Sequence, residues 1–319
     1  MNKKLLNIFS YLVLYGSLMV CVFTIMSFMG DVFWICEIVT HFRVQYFVIL
    51  GLTGFLFLVL KRYKLSILFL GFAIVNFSFI IPDYVKDKDS IQEDNGHIYK
   101  ALFANFYKHN HQYQKLVDLI NKENPDFFVV MEINSDLLNG MKEVIPNYKY
   151  NISHFEDNQS FSIGLFSKYV SDSIFIEFWG DEGFPSVLGK LDIGGNGLNV
   201  IGCHAMSPDN PDSLFLRNQQ LNIMADYAAN FEGEVMCLGD INTTPWSPYF
   251  SEFLEKSGLK DSRKGFGVQP TWPTYFPLLY IPIDHCFVSD GIKIIDRRVG
   301  PDIGSDHLPI IIEFVFEEN

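Results

Sequence analysis

The fold is decided by one stretch of the sequence, Cys237-Leu238-Gly239-Asp240-Ile241-Asn242-Thr243-Thr244-Pro245. The apolar run 235–238 predicts a buried strand, and the Thr-Thr-Pro that follows ends it. Because side chains alternate faces along a strand, Asp240 and Asn242 point the same way while Ile241 points into the core. A carboxylate beside a neutral amide suits a metal site at which water attacks. For this stretch alone, the alternative is a strand followed by an Asx-turn.

The composition indicates that part of the chain is not dissolved in water. Of its 319 residues 49% are apolar, and the mean hydropathy is +0.15. Six Lys and Arg against two Asp and Glu give residues 1–81 a charge of +4, so the remainder carries −17. An acidic domain repels polyanions, which argues against nonspecific nucleic-acid binding, although bound divalent cations invert the local field.

Three uncharged or nearly uncharged runs, at 5–30, 44–60 and 65–81, predict three transmembrane helices. The first exceeds the roughly 20 residues that span a bilayer, and the others lie near the lower limit of about 17. A cleaved signal peptide is the alternative for the first run, but the run is too long and two further apolar segments follow it.

Basic residues predict the orientation of these helices. Lys3-Lys4 and the basic turn 61–64 both belong on the cytoplasmic side. With three crossings, everything after residue 81 lies on the non-cytoplasmic side. We therefore expect an integral membrane protein with a membrane anchor at 1–81, a polar linker at 82–96 and one mixed domain at 97–319.

Residues suited to metal or proton chemistry stand at the ends of the predicted strands of this domain. They are Asn105, Glu132, His204, Asp240 with Asn242, Asp284, and Asp306-His307. A glutamate directly after the all-apolar run 127–131 is costly unless it is paired or binds a cation. Taken singly, His204 is more often a hydrogen-bonded core histidine and Asp284-His285 a turn. One shared site explains all of them better than six coincidences.

The chain resembles the endonuclease/exonuclease/phosphatase superfamily, which includes DNase I, apurinic-site endonucleases, inositol polyphosphate 5-phosphatases and neutral sphingomyelinases. The resemblance rests on Asn105, Val130-Met131-Glu132, Gly202-Cys203-His204, Gly239-Asp240-Ile241-Asn242, Ile283-Asp284-His285 and Gly304-Ser305-Asp306-His307-Leu308-Pro309. It covers about 97–316 in the family's order. Many nucleases of the family have an acidic or amide residue at the position of Tyr107. The number of bound metal ions, one or two, is therefore left open.

This resemblance implies an α+β fold, a four-layered α/β sandwich of two mixed sheets flanked by helices, with the site at the rim of the sheets. It also implies that Glu132 is the principal metal ligand and that Asn105 and Asp306 lie near the metal. Oxygen ligands favour Mg²⁺ or Mn²⁺ over zinc.

The resemblance likewise implies the catalytic roles. Asp240 and Asn242 would orient the attacking water and the phosphoryl oxygens, while His307 paired with Asp284, together with His204, would hold the phosphate and transfer protons. Phosphoryl hydrolysis needs these parts: a hard cation, a base that aligns water, and donors to the nonbridging oxygens.

The cysteines of the domain sit in apolar strands without metal-ligand spacing. Cys203, Cys237 and Cys286 are therefore predicted to be buried thiols. A disulfide between two of them is the alternative if the domain faces an oxidising compartment.

The sequence predicts a phosphodiester or phosphomonoester hydrolase, with a phospholipid head group favoured over nucleic acid. The segment 271–280 is either an apolar rim that meets lipid or a buried loop that caps the core. A membrane-tethered nuclease is one alternative, but it would depend on only two basic clusters, Arg263-Lys264 and Arg297-Arg298. A non-catalytic membrane scaffold is the other, and the retained acid, amide and histidine residues argue against it.

Overall fold

Four apolar helices near the N-terminus precede a sheet-rich domain in the computed structural model, which describes residues 3–86, 97–155 and 160–317. The α-helices in this part of the chain are α1 Lys3–Met26, α2 Trp34–Thr40, α3 Arg43–Val59, α4 Tyr63–Ile80, α5 Tyr113–Glu123, α6 Ser135–Gly140, α7 Pro211–Asn230 and α8 Pro248–Ser257. The strands are β1 Tyr99–Asn105, β2 Phe127–Met131, β3 Tyr150–His154, β4 Ile163–Ser167, β5 Ser171–Trp179, β6 Phe184–Ile193, β7 Asn196–Cys203, β8 Glu234–Asp240, β9 Lys260–Asp261, β10 Asp284–Val288, β11 Ile292–Val299 and β12 Ile310–Phe316.

The strands form two mixed six-stranded sheets, in the orders β11-β12-β1-β2-β4-β3 and β5-β6-β7-β8-β10-β9. Side chains such as Phe103 and Val129 of the first sheet pack against Val200 of the second in the central core. Helices α5 and α6 cover the outer face of the first sheet, and α7 and α8 cover that of the second. The predicted four-layered α/β sandwich is confirmed.

Strand direction brings the polar strand ends to one edge of this sandwich. Strands β1 and β2 are parallel, as are β7 and β8, so their carboxyl ends lie side by side within each sheet. The sequence predicted that the run 281–283 is a strand that leads into Asp284, but Asp284 is instead the first residue of β10. Because β10 runs antiparallel to β8, Asp284 lies directly opposite Asp240.

The three predicted transmembrane segments correspond to α1, α3 and α4. Helices α1 and α4 are long and apolar enough to cross a membrane, and α2 with α3 would add a third span if this pair, bent by 67°, counts as one. The segment between the first two predicted spans contains α2, which the sequence analysis did not predict.

Helix α2 packs into the domain through a buried ion pair. The Glu37 carboxylate lies 2.9 Å from Nη1 of Arg217 on α7, and both side chains are fully buried. The hydroxyl of Ser247 donates a second hydrogen bond to Glu37, at 3.0 Å. Arg217 and Gln220 form a polar side of α7 that faces the protein interior, where both are buried.

The start of the predicted linker also contacts the domain. Asp83 is buried, and its Oδ2 lies 2.9 Å from Nη1 of Arg263. The remainder of the predicted linker, at 87–96, lies outside the described residues.

The cysteines of the sheets are buried, as predicted. Cys203, Cys237 and Cys286 lie in β7, β8 and β10, and all five cysteines of the chain, each within the described residues, are free thiols. Burial raises the pKa of both Cys203 and Cys286 to about 12, so these thiols stay protonated and unreactive.

Removal of Glu37 tests the contribution of the buried pair. Glu37→Ala leaves the Arg217 guanidinium buried without its counter-ion, which costs about 3–5 kcal/mol of stability. We expect the Tm of the purified chain in micelles to fall by about 2–4 °C for each kcal/mol. The control Lys115→Ala removes an exposed pair with Asp302 and should cost less than about 1 kcal/mol. Equal, small losses in both variants would contradict the account.

Candidate active site

Asn105 connects the two sheets at the polar edge. Its side chain is buried, and Nδ2 donates to Oε1 of Glu132 at 3.3 Å and to Oδ2 of Asp240 at 3.2 Å. Its Oδ1 accepts the backbone N–H of Tyr107 at 3.1 Å. Asn105 therefore acts as a donor between two carboxylates, one from each sheet.

Glu132 and Asn242 turn into the edge through left-handed backbone conformations. Their φ angles are +54° and +48°, which cost a residue with a side chain about 1–3 kcal/mol each. Hydrogen bonds hold both in place. The N–H of Glu132 donates to the Ser162 carbonyl at 2.8 Å, and the N–H of Asn242 donates to Oδ1 of Asp240 at 3.0 Å. The Asn242 side chain braces the end of β7, because its Nδ2 donates to the Ala205 carbonyl at 2.9 Å.

His307 lies between two buried carboxylates. Its Nδ1 is 2.9 Å from Oδ2 of Asp284, and its Nε2 is 3.6 Å from Oδ2 of Asp240. Burial alone lowers the pKa of His307, but the charges of Asp284 and Asp240 outweigh it and raise the pKa to about 10. Burial raises the pKa of Asp240 to about 6, despite the opposing charge of His307.

His204 faces the same carboxylates from the end of β7. Its Nδ1 lies 3.1 Å from the carbonyl oxygen of Ser160. A carbonyl only accepts hydrogen bonds, so Nδ1 carries a proton and Nε2 is directed at the site. Nε2 lies 3.7 Å from Oδ2 of Asp240 and 4.0 Å from Oε1 of Glu132.

Asp306 completes the edge from the loop before β12. The indole N–H of Trp272 donates to its Oδ2 at 3.3 Å. Burial raises the pKa of Asp306; the charge of His307 lowers it and that of Glu132 raises it again. Asp306 thus adds a carboxylate to the edge that already holds Glu132 and Asp240.

Two groups of side chains at this edge offer ligand atoms for a metal. Asp240, Asp284 and His307 have ligand atoms within 4.8 Å of one another. However, His307 already donates to Asp284, and a metal there would require a neutral imidazole and the loss of that bond. Glu132 and Asp306 offer carboxylate oxygens, the ligand type that Mg²⁺ and Mn²⁺ prefer.

All eight predicted residues lie at this edge. Direct side-chain contacts connect Asn105, Glu132, Asp240, Asp284, His204 and His307. Asn242 joins through its backbone N–H to Asp240, and Asp306 is the chain neighbour of His307. Their individual roles remain predictions.

The cation at the rim of the site, Lys108, is not among the predicted residues. The backbone N–H of Lys108 donates to Oε2 of Glu132 at 3.0 Å, and its Nζ donates to Oγ of Ser160 at 2.9 Å. Lys108 lies three residues after Asn105, and that proximity was a usable signal. Ser160 had none, because it lies before the start of β4 and not after any strand that carries a predicted site residue.

The sequence profile of the Endonuclease/Exonuclease/phosphatase family matches residues 102–307. This match covers more than half of the chain, so the chain belongs to the endonuclease/exonuclease/phosphatase family. Members of this family are metal-dependent phosphoester hydrolases. No curated protein matches the chain.

Solved structures share the fold. TDP2 from D. rerio in complex with a single-strand DNA product has a TM-score of 0.60 at 15% identity, over 70% of this chain and 100% of that one. A mannosyl-6-phosphatase from Bacteroides thetaiotaomicron VPI-5482 has a TM-score of 0.57 at 19% identity, over 68% and 100%. An endonuclease/exonuclease/phosphatase family protein from Bacteroides thetaiotaomicron has 0.58 at 18% identity, over 70% and 100%.

The raised pKa of His307 predicts how its contribution to stability depends on pH. The folded-state pKa of about 10 lies above the ordinary value of 6.5, so the contribution is fully present below pH 6.5 and is lost as pH rises through about 10. The Tm difference between wild type and His307→Ala, measured in metal-free buffer, should therefore shrink between pH 6.5 and pH 10. His111→Ala, which removes an exposed pair with Asp136, serves as control and should change little at either pH. A Tm difference for His307→Ala that is constant over this range would contradict the assignment.

Proposed function

We propose that this protein is a membrane-anchored phosphoesterase that requires Mg²⁺ or Mn²⁺ and hydrolyses the phosphoester of a membrane lipid. In this proposal residues 1–81 are the anchor, 82–96 the linker and 97–319 the catalytic domain. One observation carries it: carboxylate oxygens suited to a hard cation lie beside a buried Asp240–His307–Asp284 chain suited to proton transfer.

Glu132 would hold the metal, with Asp306 and Asn105 beside it. When bound, such a cation neutralises charge that develops on the phosphoryl oxygens. The remaining chemistry belongs to the side chains. Asp240 would align the attacking water and accept its proton, because the Asn242 N–H fixes one carboxylate oxygen.

The histidines would contact the phosphoryl oxygens. His307, kept protonated by Asp284, would donate a hydrogen bond from Nε2 and supply positive charge. His204 presents Nε2 to the same region, with its ring fixed by the Ser160 carbonyl. Lys108 would add a cation at the rim.

The environments of the two predicted basic clusters favour a lipid substrate over a nucleic-acid substrate. Arg263 and Arg297 are buried, so neither offers its charge to a polyanion. Arg298 is ion-paired with Glu123 and Asp296. Lys264, the fourth residue of these clusters, is exposed, but a DNA duplex needs several exposed cations.

The apolar segment 271–280 is partly a buried loop and partly an exposed apolar rim, so it combines the two predicted alternatives. Thr271 is buried at its base, whereas Tyr275 is 73% and Leu278 74% exposed at its tip. An exposed apolar tip on a domain attached to a membrane anchor supports contact with lipid. The nuclease alternative is kept because the similar D. rerio TDP2 was solved with a DNA product, and the scaffold alternative would require an inactive site.

A substrate screen tests the proposal. With Mg²⁺ or Mn²⁺ the full chain should release phosphate or head group from phospholipid vesicles faster than it cleaves single-stranded or duplex DNA, and chelation should abolish turnover. Asp240→Asn and His307→Ala should each lower kcat by about 10²–10⁴-fold, because each removes a proton-transfer or charge-stabilising group. Glu132→Gln should raise the metal concentration needed for half-maximal rate.

Bis-p-nitrophenyl phosphate and inositol phosphates serve as soluble comparison substrates. Inactivity on every substrate would support the scaffold instead. Rapid, salt-sensitive DNA cleavage without head-group release would support the nuclease.

The proposed orientation places the basic α3–α4 turn in the cytoplasm and the domain on the non-cytoplasmic side. Lys64 and Asp290 are both exposed, so single cysteines at these positions report the two sides. An impermeant thiol reagent applied to intact cells should label Asp290→Cys but not Lys64→Cys, and wild type should stay unlabelled because its cysteines are buried. Labelling of Lys64→Cys alone would invert the orientation.

A further inference from the structure

A cavity of about 300 Å³ lies between the anchor and the domain. Its lining is mostly apolar, with Trp34, Ile38 and Phe42 from the anchor and Pro208, Trp272, Ile281 and Ile283 from the domain; the polar members are His41, Ser207, Asp209 and Asn242. The indole N–H of Trp34 donates to the Pro208 carbonyl at 2.7 Å, which ties the two walls together.

The cavity adjoins the candidate active site at two points. Asn242, whose N–H holds Asp240, is part of its lining. Trp272 is also part of it and donates to Asp306. A ligand in the cavity would therefore have an apolar portion among the aromatic and aliphatic walls and a polar portion at the catalytic edge, which is the arrangement that an amphipathic molecule requires.

We propose that this cavity receives the hydrocarbon chain of the lipid whose phosphoester is hydrolysed, an inference that rests on the proposed function. The size suits part of a chain: an engineered cavity of about 150 Å³ takes one benzene, so this one takes a segment of an alkyl chain. The walls explain why the substrate is a lipid rather than a free phosphoester, because hydrocarbon is what mostly apolar walls bind.

Exposed aromatic side chains lie close in sequence to the residues that line this cavity. A bridge between Trp272 and Ile281 closes the base of the loop 273–280, and Nε2 of Gln45 on α3 donates to the Tyr280 carbonyl at 2.9 Å. Phe33, next to Trp34, is 58% exposed, and Phe276 is 44% exposed. These side chains would shield a hydrocarbon chain from water as it passes from the bilayer to the cavity.

Two esters with the same leaving group, p-nitrophenyl methyl phosphate and p-nitrophenyl dodecyl phosphate, differ only in their alkyl chain. Comparison of their rates therefore isolates the contribution of the hydrocarbon chain. The full chain in micelles should show a kcat/KM for the dodecyl ester that is higher by about tenfold or more, since burial of two methylene groups accounts for that factor. Ile38→Phe fills the cavity and should bring the ratio close to one. Ile35→Phe, the same change on the exposed face of α2, should leave the wild-type ratio.

A wild-type ratio near one, or a ratio that survives Ile38→Phe, would overturn the inference. If neither ester is hydrolysed in the presence of metal, the proposed function is wrong. A binding measurement then tests whether the cavity holds a hydrocarbon chain. In a Trp179→Phe, Trp246→Phe background, 12-bromododecyl phosphate should quench Trp34 and Trp272 fluorescence saturably. Unbrominated dodecyl phosphate should reverse the quenching, and Ile38→Phe but not Ile35→Phe should remove it. Absence of saturable quenching would overturn the inference independently of activity.

Discussion

The hydrogen bonds of Asn105 to Glu132 and Asp240 are the interaction on which the site depends. They join a carboxylate of one sheet to a carboxylate of the other at 3.3 and 3.2 Å, at an edge where Asp284 and Asp306 add two more. Carboxylates that are buried together are stable only when donors and cations offset their charge. Asn105, His204 and His307 supply part of that compensation, and we propose that a divalent cation at Glu132 and Asp306 supplies the rest.

The N-terminal helices contribute to the geometry of this edge. Arg217 donates from Nη1 both to Glu37 of α2 and to the carbonyl of Asn242, at 2.9 and 3.1 Å. Nδ1 of His41, directly after α2, lies 3.0 Å from the hydroxyl of Thr244. Residues of the N-terminal helices therefore contact the loop that follows Asp240, and the apolar cavity adjoins the same loop.

The strands and the site were predictable because their signals are local. A run such as 127–131 is buried on both faces, and the residue that follows such a strand must lie at a sheet edge, so Glu132 was identified without knowledge of its partners. The roles of long-range partners were not predictable. Glu37 and Arg217 are 180 residues apart, and nothing in either neighbourhood specifies the other. Arg263 and Arg297 looked like surface cations for the same reason, although both are buried.

We propose that Glu132 and Asp306 hold a divalent cation beside a proton-transfer chain that holds none. Crystals of the full chain soaked in Mn²⁺ test this claim through anomalous scattering at the manganese edge. The account predicts a peak about 2.0–2.6 Å from a carboxylate oxygen of Glu132, on the side of Asp306. A peak enclosed by Asp240, Asp284 and His307, with none at Glu132, would contradict it.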